Sequence, residues 1–232
     1  KFIYHYLFHR AKIVFFQNNE DLNLFNKKKY NSSFFLINGS GVNTQKFKFN
    51  VNNLKNITFT MISRLIKEKG ILEFLRAAEM IKEENKHILF ILAGHVPKNK
   101  KLRRRIEKLH NNNTINYLGF VENVVPVLEQ TSVFVFPSYY REGVPRAVLE
   151  AMSSGRPIIT TNLPGCKETI IDGKNGYFVK EKDIQDLYIK MLNFVVDPNK
   201  IKIMGFESRK LAEHKFEVSK VNKKIISCLN EL

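Results

Sequence analysis

Cys166 and Cys228 are the only cysteines in 232 residues, so no disulfide framework staples this chain, and their spacing matches no zinc site. The six histidines are read as structural or surface groups, and no metal is expected. No stretch reaches the roughly eighteen apolar residues of a membrane-crossing helix. The opening Lys1–Phe8 lacks the charged, apolar and small-residue order of a signal peptide. A reducing cytoplasm is the expected setting. Internal repeats and low-complexity stretches are missing too. Acid is scarce: 22 Asp and Glu face 38 Lys and Arg, a formal net charge of +16. That surplus draws anionic partners of any kind, whether phosphorylated substrates, phospholipid headgroups or nucleic acid. The basic runs Lys27–Lys29, Lys98–Lys101 and Arg103–Arg105 read first as solvated surface.

With 44% hydrophobic residues the chain has the apolar material for one ordinary domain plus extra elements. From Lys55 onward short apolar runs alternate with helix-period segments, the pattern of strands and crossover helices in a parallel sheet. Strands are expected at Ile57–Ile62, His87–Ala93, Ile115–Leu118, Val133–Phe136, Pro157–Thr161 and Tyr177–Val179. Helices are expected at Ile71–Glu84, from about Lys98 to His110, from an Asn123 cap to Gln130, at Pro145–Ser154, around Lys167–Ile171, and over three C-terminal segments, Asp183–Asn193, Lys200–Glu213 and Glu217–Leu229. The fold class is therefore α/β, a doubly wound parallel sheet with ligands beyond the strands' carboxyl ends. The first 45 residues differ. They hold one strand, helix, strand unit (Ile13–Phe16, Asp21–Phe25, Phe34–Ile37) that cannot close a sheet alone, followed by Asn38-Gly39-Ser40-Gly41 and a polar connection through Asn53. The pattern at Lys1 starts in mid-stride, so an upstream portion of the natural protein is expected.

The densest chemical signal is Arg141-Glu142-Gly143-Val144-Pro145-Arg146-Ala147-Val148-Leu149-Glu150-Ala151-Met152. Glu142 falls in the loop after a strand and Glu150 on the helix that follows, which sets two carboxylates at different depths of one cleft. Gly143 admits close approach of a ligand to the backbone. The amides of Gly143, Val144 and Arg146 at the helix start are expected to hold phosphate oxygens, aided by the helix dipole. A carboxylate such as Glu150 accepts hydrogen bonds from neighbouring hydroxyls, as a ribose presents them. Singly, a helical glutamate is usually solvated and a Gly-Val-Pro turn is usually a turn; the combination is what carries information.

That combination resembles the retaining glycosyltransferases of family 4, whose hallmark is two glutamates with seven residues between them. The likeness continues through Ser153-Ser154-Gly155-Arg156-Pro157-Ile158-Ile159, Pro164-Gly165-Cys166-Lys167-Glu168 and Gly173-Lys174-Asn175-Gly176. The family has two facing Rossmann-like domains, the GT-B arrangement, and its C-terminal domain binds a nucleoside diphosphate sugar. The resemblance implies that residues 46–232 are that donor-binding domain and residues 1–45 a remnant of the acceptor domain with the hinge. It implies that Glu142 sits at the donor sugar and Glu150 at the ribose. In Ser63-Arg64-Leu65-Ile66-Lys67-Glu68-Lys69-Gly70 it implicates Arg64 and Lys69 at the diphosphate. Fixed cations there stabilise a departing diphosphate without a metal. Gly94, Phe120 and Val121 match positions that cradle the base. Asn38-Gly39-Ser40-Gly41-Val42 is similar to the family hinge and is no phosphate loop, since no Gly-Lys-Ser/Thr follows.

The implied activity is metal-independent transfer of a hexosyl or N-acetylhexosaminyl group from a nucleotide sugar, expected to be UDP-linked, to a polysaccharide or lipid-linked glycan. The form Tyr139–Arg146 looks like the branch that builds bacterial capsules and surface glycans. The expected partners are donor, acceptor and the inner membrane face, and not nucleic acid. With the acceptor-binding residues upstream, this stretch alone is expected to bind nucleotide and to transfer sugar poorly or not at all. Two rivals remain open: an epimerase or phosphorylase with a related cleft, and a basic nucleic-acid module, for which no known motif is present.

Overall fold

A computed structural model describes residues 2–25, 29–50 and 56–231. Lys27 and Lys28 of the first basic run, and 51–53 of the polar connection, lie outside the described residues. The elements run α1 (Phe2–Arg10), β1 (Ile13–Phe16), α2 (Asn19–Asn23), β2 (Ser33–Leu36), β3 (Thr58–Ile62), α3 (Ile71–Glu84), β4 (Leu89–Ala93), α4 (Lys100–Asn111), β5 (Asn116–Tyr117), α5 (Val125–Glu129) and β6 (Val133–Phe136). They continue as α6 (Arg146–Ser153), β7 (Ile158–Thr161), β8 (Gly176–Val179), α7 (Ile184–Val196), α8 (Asn199–Leu211) and α9 (Val218–Leu229).

Strands β3 to β8 form one six-stranded sheet, ordered β5-β4-β3-β6-β7-β8, and every pairing in it is parallel. Counted from β3 this is the order 3-2-1-4-5-6, which reverses direction between β3 and β6. Such strands are covered on both faces, so they read as continuous apolar runs. Side-chain alternation along them feeds two cores. Phe59, Met61, Val133 and Val135 face one layer with α3, α4 and α7. Phe134, Phe136 and Ile158 face the other, with α5 and α6.

The amino-terminal unit is a separate two-stranded parallel sheet, β1 beside β2, closed by an aromatic cluster of Phe8, Phe16, Tyr30 and Phe34. Helix α1, for which the opening residues gave no expectation, contributes Phe8 to that cluster. The connection packs on the carboxyl-terminal end of the chain, with Val42 N–H donating to Phe216 O at 2.8 Å and Val218 N–H to Val42 O at 3.0 Å.

Several boundaries differ from expectation for local reasons. Asn18 caps α2 by accepting from the Asp21 amide, so that helix begins earlier than Asp21. Asn99 caps α4 in the same way at Leu102. The segment after Cys166 is only a 3₁₀ turn, Lys167–Thr169. It stops there because Asn175 claims the next backbone groups, accepting from Ile171 N–H and donating to Thr169 O. Pro145 stands before the first turn of α6 as its cap residue.

Candidate active site

β3 and β6 release the chain into the same crevice, at the point where the strand order reverses. After β3 the chain makes one 3₁₀ turn, Lys67–Lys69, closed by Gly70 at φ 76°. A side chain there would be strained and would run into the Pro137 carbonyl. The two loops therefore pack backbone on backbone. The Glu68 carbonyl accepts from the Tyr139 and Tyr140 amides at 2.9 and 3.0 Å, which registers the loop after β3 against the loop after β6.

That register brings Lys69 to Glu142. Lys69 Nζ donates to Glu142 Oε1, and the two side chains are only 8% and 14% exposed. Ser138 Oγ lies 3.1 Å from the same carboxylate oxygen and 3.3 Å from Glu68 O, so its single proton serves one of them at a time. The Lys69 ammonium also lies 5.3 Å from the Tyr140 ring centre, and the Arg64 guanidinium 5.6 Å from it. Arg64, Lys69 and Glu142 are thus gathered around one tyrosine. Glu142 neutralises Lys69, whereas Arg64 has no acidic partner among the described ion pairs.

Glu150 is not part of that cluster. It projects from α6 and accepts from Arg146 Nε at 3.1 Å, one turn away. Its side chain is 14% exposed against 75% for Arg146. Burial pushes the Glu150 carboxyl above the usual carboxylate range, with Arg146 and then Lys46 pulling it back.

The helix start differs from expectation. Val144 N–H is not open to a ligand, because it donates to Gln17 Oε1 at 2.9 Å. Gln17 reaches it from the end of β1, and a β-carbon on Gly143 would strike the same Gln17 oxygen. Two further contacts tie the amino-terminal unit to this loop: Asn18 Nδ2 approaches Glu142 O at 3.5 Å, and Arg141 Nε donates to Asp21 Oδ1 at 2.8 Å. A third, Lys167 with Glu20, ties it to the turn after β7. From the other side Gly165, at φ 81°, fits against the Glu142 and Gly143 carbonyls where any side chain would collide. Cys166 beside it is buried and its thiol is pushed up to about 11, which removes it as a nucleophile.

Gln17, Asn18, Asp21 and Ser138 were not singled out by the sequence. The available signal was position: Gln17 and Asn18 follow β1 directly and Ser138 follows β6 by one proline, the places where α/β sheets present ligand-facing groups.

The residues expected to cradle a base, Gly94, Phe120 and Val121, lie at the β4–β5 edge. Gly94 N–H donates to Gly119 O at 2.8 Å, and Tyr117 Oη donates to Gly94 O at 3.1 Å. Phe120 is 61% exposed and stacks on His95 with ring centres 4.1 Å apart; Val121 is half-buried. A cavity of about 720 Å³ opens nearby, lined by Arg64, Leu65, His95, Val96, Leu102 and Arg105 among others. Arg64 joins this edge to the Tyr140 cluster. Among the described residues, no group of three His, Cys, Asp or Glu is placed to hold a metal ion, and no helix is long and apolar enough to cross a membrane.

The chain is similar to known proteins. The chain is 32% identical over 170 residues to N,N'-diacetylbacillosaminyl-diphospho-undecaprenol alpha-1,3-N-acetylgalactosaminyltransferase of Campylobacter jejuni, a match covering 73% of this chain and 43% of that enzyme. It is 30% identical over 195 residues to the UDP-Gal:alpha-D-GlcNAc-diphosphoundecaprenol alpha-1,3-galactosyltransferase of Escherichia coli, covering 78% of this chain and 50% of that one. The chain thus spans about half the length of these relatives. Anabaena Alr3699/HepE, solved in complex with UDP and glucose, superposes with a TM-score of 0.85 at 20% identity, over 99% of this chain and 66% of that one. The fold is accordingly the Rossmann-like half of a GT-B glycosyltransferase. Residues 42–211 match the model of the family described as Glycosyl transferases group 1, and the chain belongs to that family.

Proposed function

We propose that residues 46–232 are the donor-binding body of a retaining, metal-independent glycosyltransferase and that residues 1–45 belong to its acceptor-binding body and hinge. The observation that carries this reading is the buried Lys69–Glu142 pair at the reversal point of the sheet, with Arg64 one tyrosine ring away. A nucleoside diphosphate sugar laid across the crevice sets its diphosphate against Arg64 and Lys69 and against the amides of Gly143 and Arg146. Its sugar lies at Glu142, its ribose at Glu150, and its base at Gly94, Phe120 and Val121. As the glycosidic bond breaks, negative charge collects on the diphosphate, and fixed cations stabilise it more in the transition state than in the ground state. That supplies the charge compensation a metal gives in other transferases. Glu142 positions the sugar and supports it electrostatically.

The donor is a UDP-linked hexose or N-acetylhexosamine, and the acceptor is a lipid-linked or polymeric surface glycan. Both relatives above carry a lipid diphosphate acceptor in their names, and one carries UDP-Gal. A lipid acceptor would bring this strongly basic chain, net +16, to an anionic cytoplasmic membrane face.

Calorimetric titration of the chain with UDP, GDP and ADP tests the reading. UDP binds with a defined stoichiometry, Glu150→Ala weakens it, and the chain alone turns over donor and acceptor poorly or not at all. Nucleic acid binding that is steeply salt-dependent and indifferent to Glu142 and Glu150 would replace this reading with a polyanion-binding one. Conversion of the donor sugar without acceptor would replace it with an epimerase.

A further inference from the structure

A charged group lies at the opposite end of the sheet, where the donor crevice makes no use of it. Arg156 sits between α6 and β7, at the amino ends of the strands, and is 1% exposed. Its Nε and Nη2 are buried without a hydrogen-bond partner among the described residues. Those two nitrogens form the side-on edge of the guanidinium, the edge that grips two oxygens of one carboxylate or phosphate together. A half-buried arginine nearby is satisfied: the two Nη1 hydrogens of Arg209 are shared among Thr44 O, Phe47 O and Ser153 O at 3.1, 2.7 and 2.7 Å. Arg156 therefore stands out as a buried cation with its fork empty, an arrangement that folding alone disfavours.

Two cavities meet at this side chain. The smaller, about 130 Å³, is lined by Phe49, Asn56, Ser132 and Lys202 among others. The larger, about 360 Å³, is bounded by Lys46, Lys48, Asn50, Glu129 and Ser154 together with Arg156. Its size falls in the roughly 300–1,000 Å³ range of small-ligand sites. The larger wall carries three cations, Lys46, Lys48 and Arg156, against one carboxylate, Glu129, a surplus of two positive charges. A phosphate monoester brings about −1.5 to −2 at neutral pH, which matches that surplus and the geometry of the free fork.

We infer that Arg156, Lys46 and Lys48 form a second anion site, which takes a phosphate group at the end of the sheet opposite the Lys69–Glu142 crevice. The phosphate is either free or the end of a small phosphomonoester. Arg156 holds two of its oxygens and the lysines supply the remaining charge from the solvent side. Glu129 forms no ion pair among the described residues and acts as the internal competitor at the cavity wall. Lys46 also bears on the Glu150 carboxyl, but Arg156 and Lys48 take no part in the crevice, and the site stands whether or not UDP binds there.

The test is calorimetric titration of the intact chain at constant ionic strength set with chloride, in the presence of excess UDP, with inorganic phosphate in one arm and glycerol 3-phosphate in the other. One saturable site is expected in at least one arm, and the tighter arm identifies the source. Arg156→Lys keeps the charge and loses the fork, and weakens binding at least tenfold. Lys46→Ala with Lys48→Ala does the same through exposed side chains, and decides the matter alone if the Arg156 variant does not fold. Glu129→Gln tightens binding severalfold. The site is overturned by no saturable binding in either arm, by phosphate binding that appears only when UDP is left out, or by unchanged affinity in the Lys46/Lys48 variant. It is overturned equally if Glu129→Gln lowers Tm without tightening phosphate, because Glu129 would then be the guanidinium's own counter-ion.

Discussion

The two ends of the donor crevice are built on opposite terms. At the β3–β6 end Lys69 and Glu142 are paired and nearly buried, Ser138 shares the carboxylate, and Gln17 caps the neighbouring amide. At the β4–β5 end Phe120 stands 61% exposed with only His95 stacked on it. Folding has already assembled the first end, so a diphosphate bound as proposed would share or displace contacts that exist before it arrives. The second end is held by the Gly94–Gly119 and Tyr117–Gly94 hydrogen bonds, and Phe120 stands outside them. A substitution at the packed end should therefore change stability and binding together, and one at the open end binding alone.

The largest effect that can break this contrast is expected from Lys69→Met. It strands the Glu142 carboxylate, which still keeps Ser138. The loss is about 2–3 kcal/mol, short of the roughly 3–5 seen when a fully buried pair is broken. UDP affinity falls in parallel by about tenfold to a hundredfold, the scale of a charged hydrogen bond of ~1.5–3 kcal/mol. Glu142→Gln sharpens the same point in the opposite sense, since it frees Lys69 for phosphate: UDP affinity holds or rises while transfer by the full-length enzyme drops. Denaturant unfolding and calorimetry on the two variants read both outcomes. Equal stability of the Lys69 variant and the parent would show that the packed end is not pre-assembled.

Next comes the contact between the amino-terminal unit and the glutamate loop. Gly143→Ala pushes a methyl group against Gln17 Oε1, the mobile end of a side chain that can swing aside, so the cost is mainly the lost Val144 N–H to Gln17 hydrogen bond, about 0.5–1.5 kcal/mol. Replacing Gln17 with Gly loses the same hydrogen bond, so in one chain the two changes are non-additive. Additive Tm shifts would mean that Gln17 does not sit against this loop.

A smaller effect is expected in the pH dependence of UDP binding. Burial holds the Glu150 carboxyl above its ordinary range, and Arg146 is the strongest group opposing that. A group that grips hydroxyls as a carboxylate works at high pH and fails as the pH falls through its raised pKa. UDP affinity therefore declines at a higher pH than an ordinary glutamate would allow. Arg146→Ala moves the decline to still higher pH, and Glu150→Gln abolishes it at the cost of overall affinity. Titration of UDP affinity against pH in the three proteins checks the order of the curves.

What could be read from the sequence follows the same divide between local and distant contacts. The alternation of strands and helices is a local signal written in apolar periodicity, and each strand of the six-stranded sheet was legible within a few residues. Lys69 and Glu142, which the structure pairs, each sit in a short motif after a strand, whereas Glu150 lies on α6 and stays outside that cluster. Gln17 was not legible, because its partner Val144 lies 127 residues further on and nothing in either neighbourhood announces the other. The same contact is why the Val144 amide, read as open to phosphate, is occupied. The 3₁₀ turn at Lys167–Thr169 was read too long because Asn175, which ends it, acts from beyond the segment.

The smallest expected effect belongs to the open end. Phe120→Ala removes the ring that stacks on His95 at 4.1 Å. An aromatic pair contributes about 0.5–1.5 kcal/mol beyond area burial, but Phe120 is mostly exposed, so little apolar burial is lost and Tm should move by no more than a degree or two. If the base stacks on this ring, UDP affinity falls by roughly twofold to tenfold, and free phosphate or pyrophosphate, which have no base, bind the variant as they bind the parent. The ratio of UDP to pyrophosphate affinity is the informative quantity, because a general loosening of the crevice lowers both and leaves it unchanged. A Phe120→Ala protein that keeps its UDP affinity, or that loses pyrophosphate in proportion, would move the base away from the β4–β5 edge. It would leave the Lys69–Glu142 end as the only part of the crevice that the nucleotide touches.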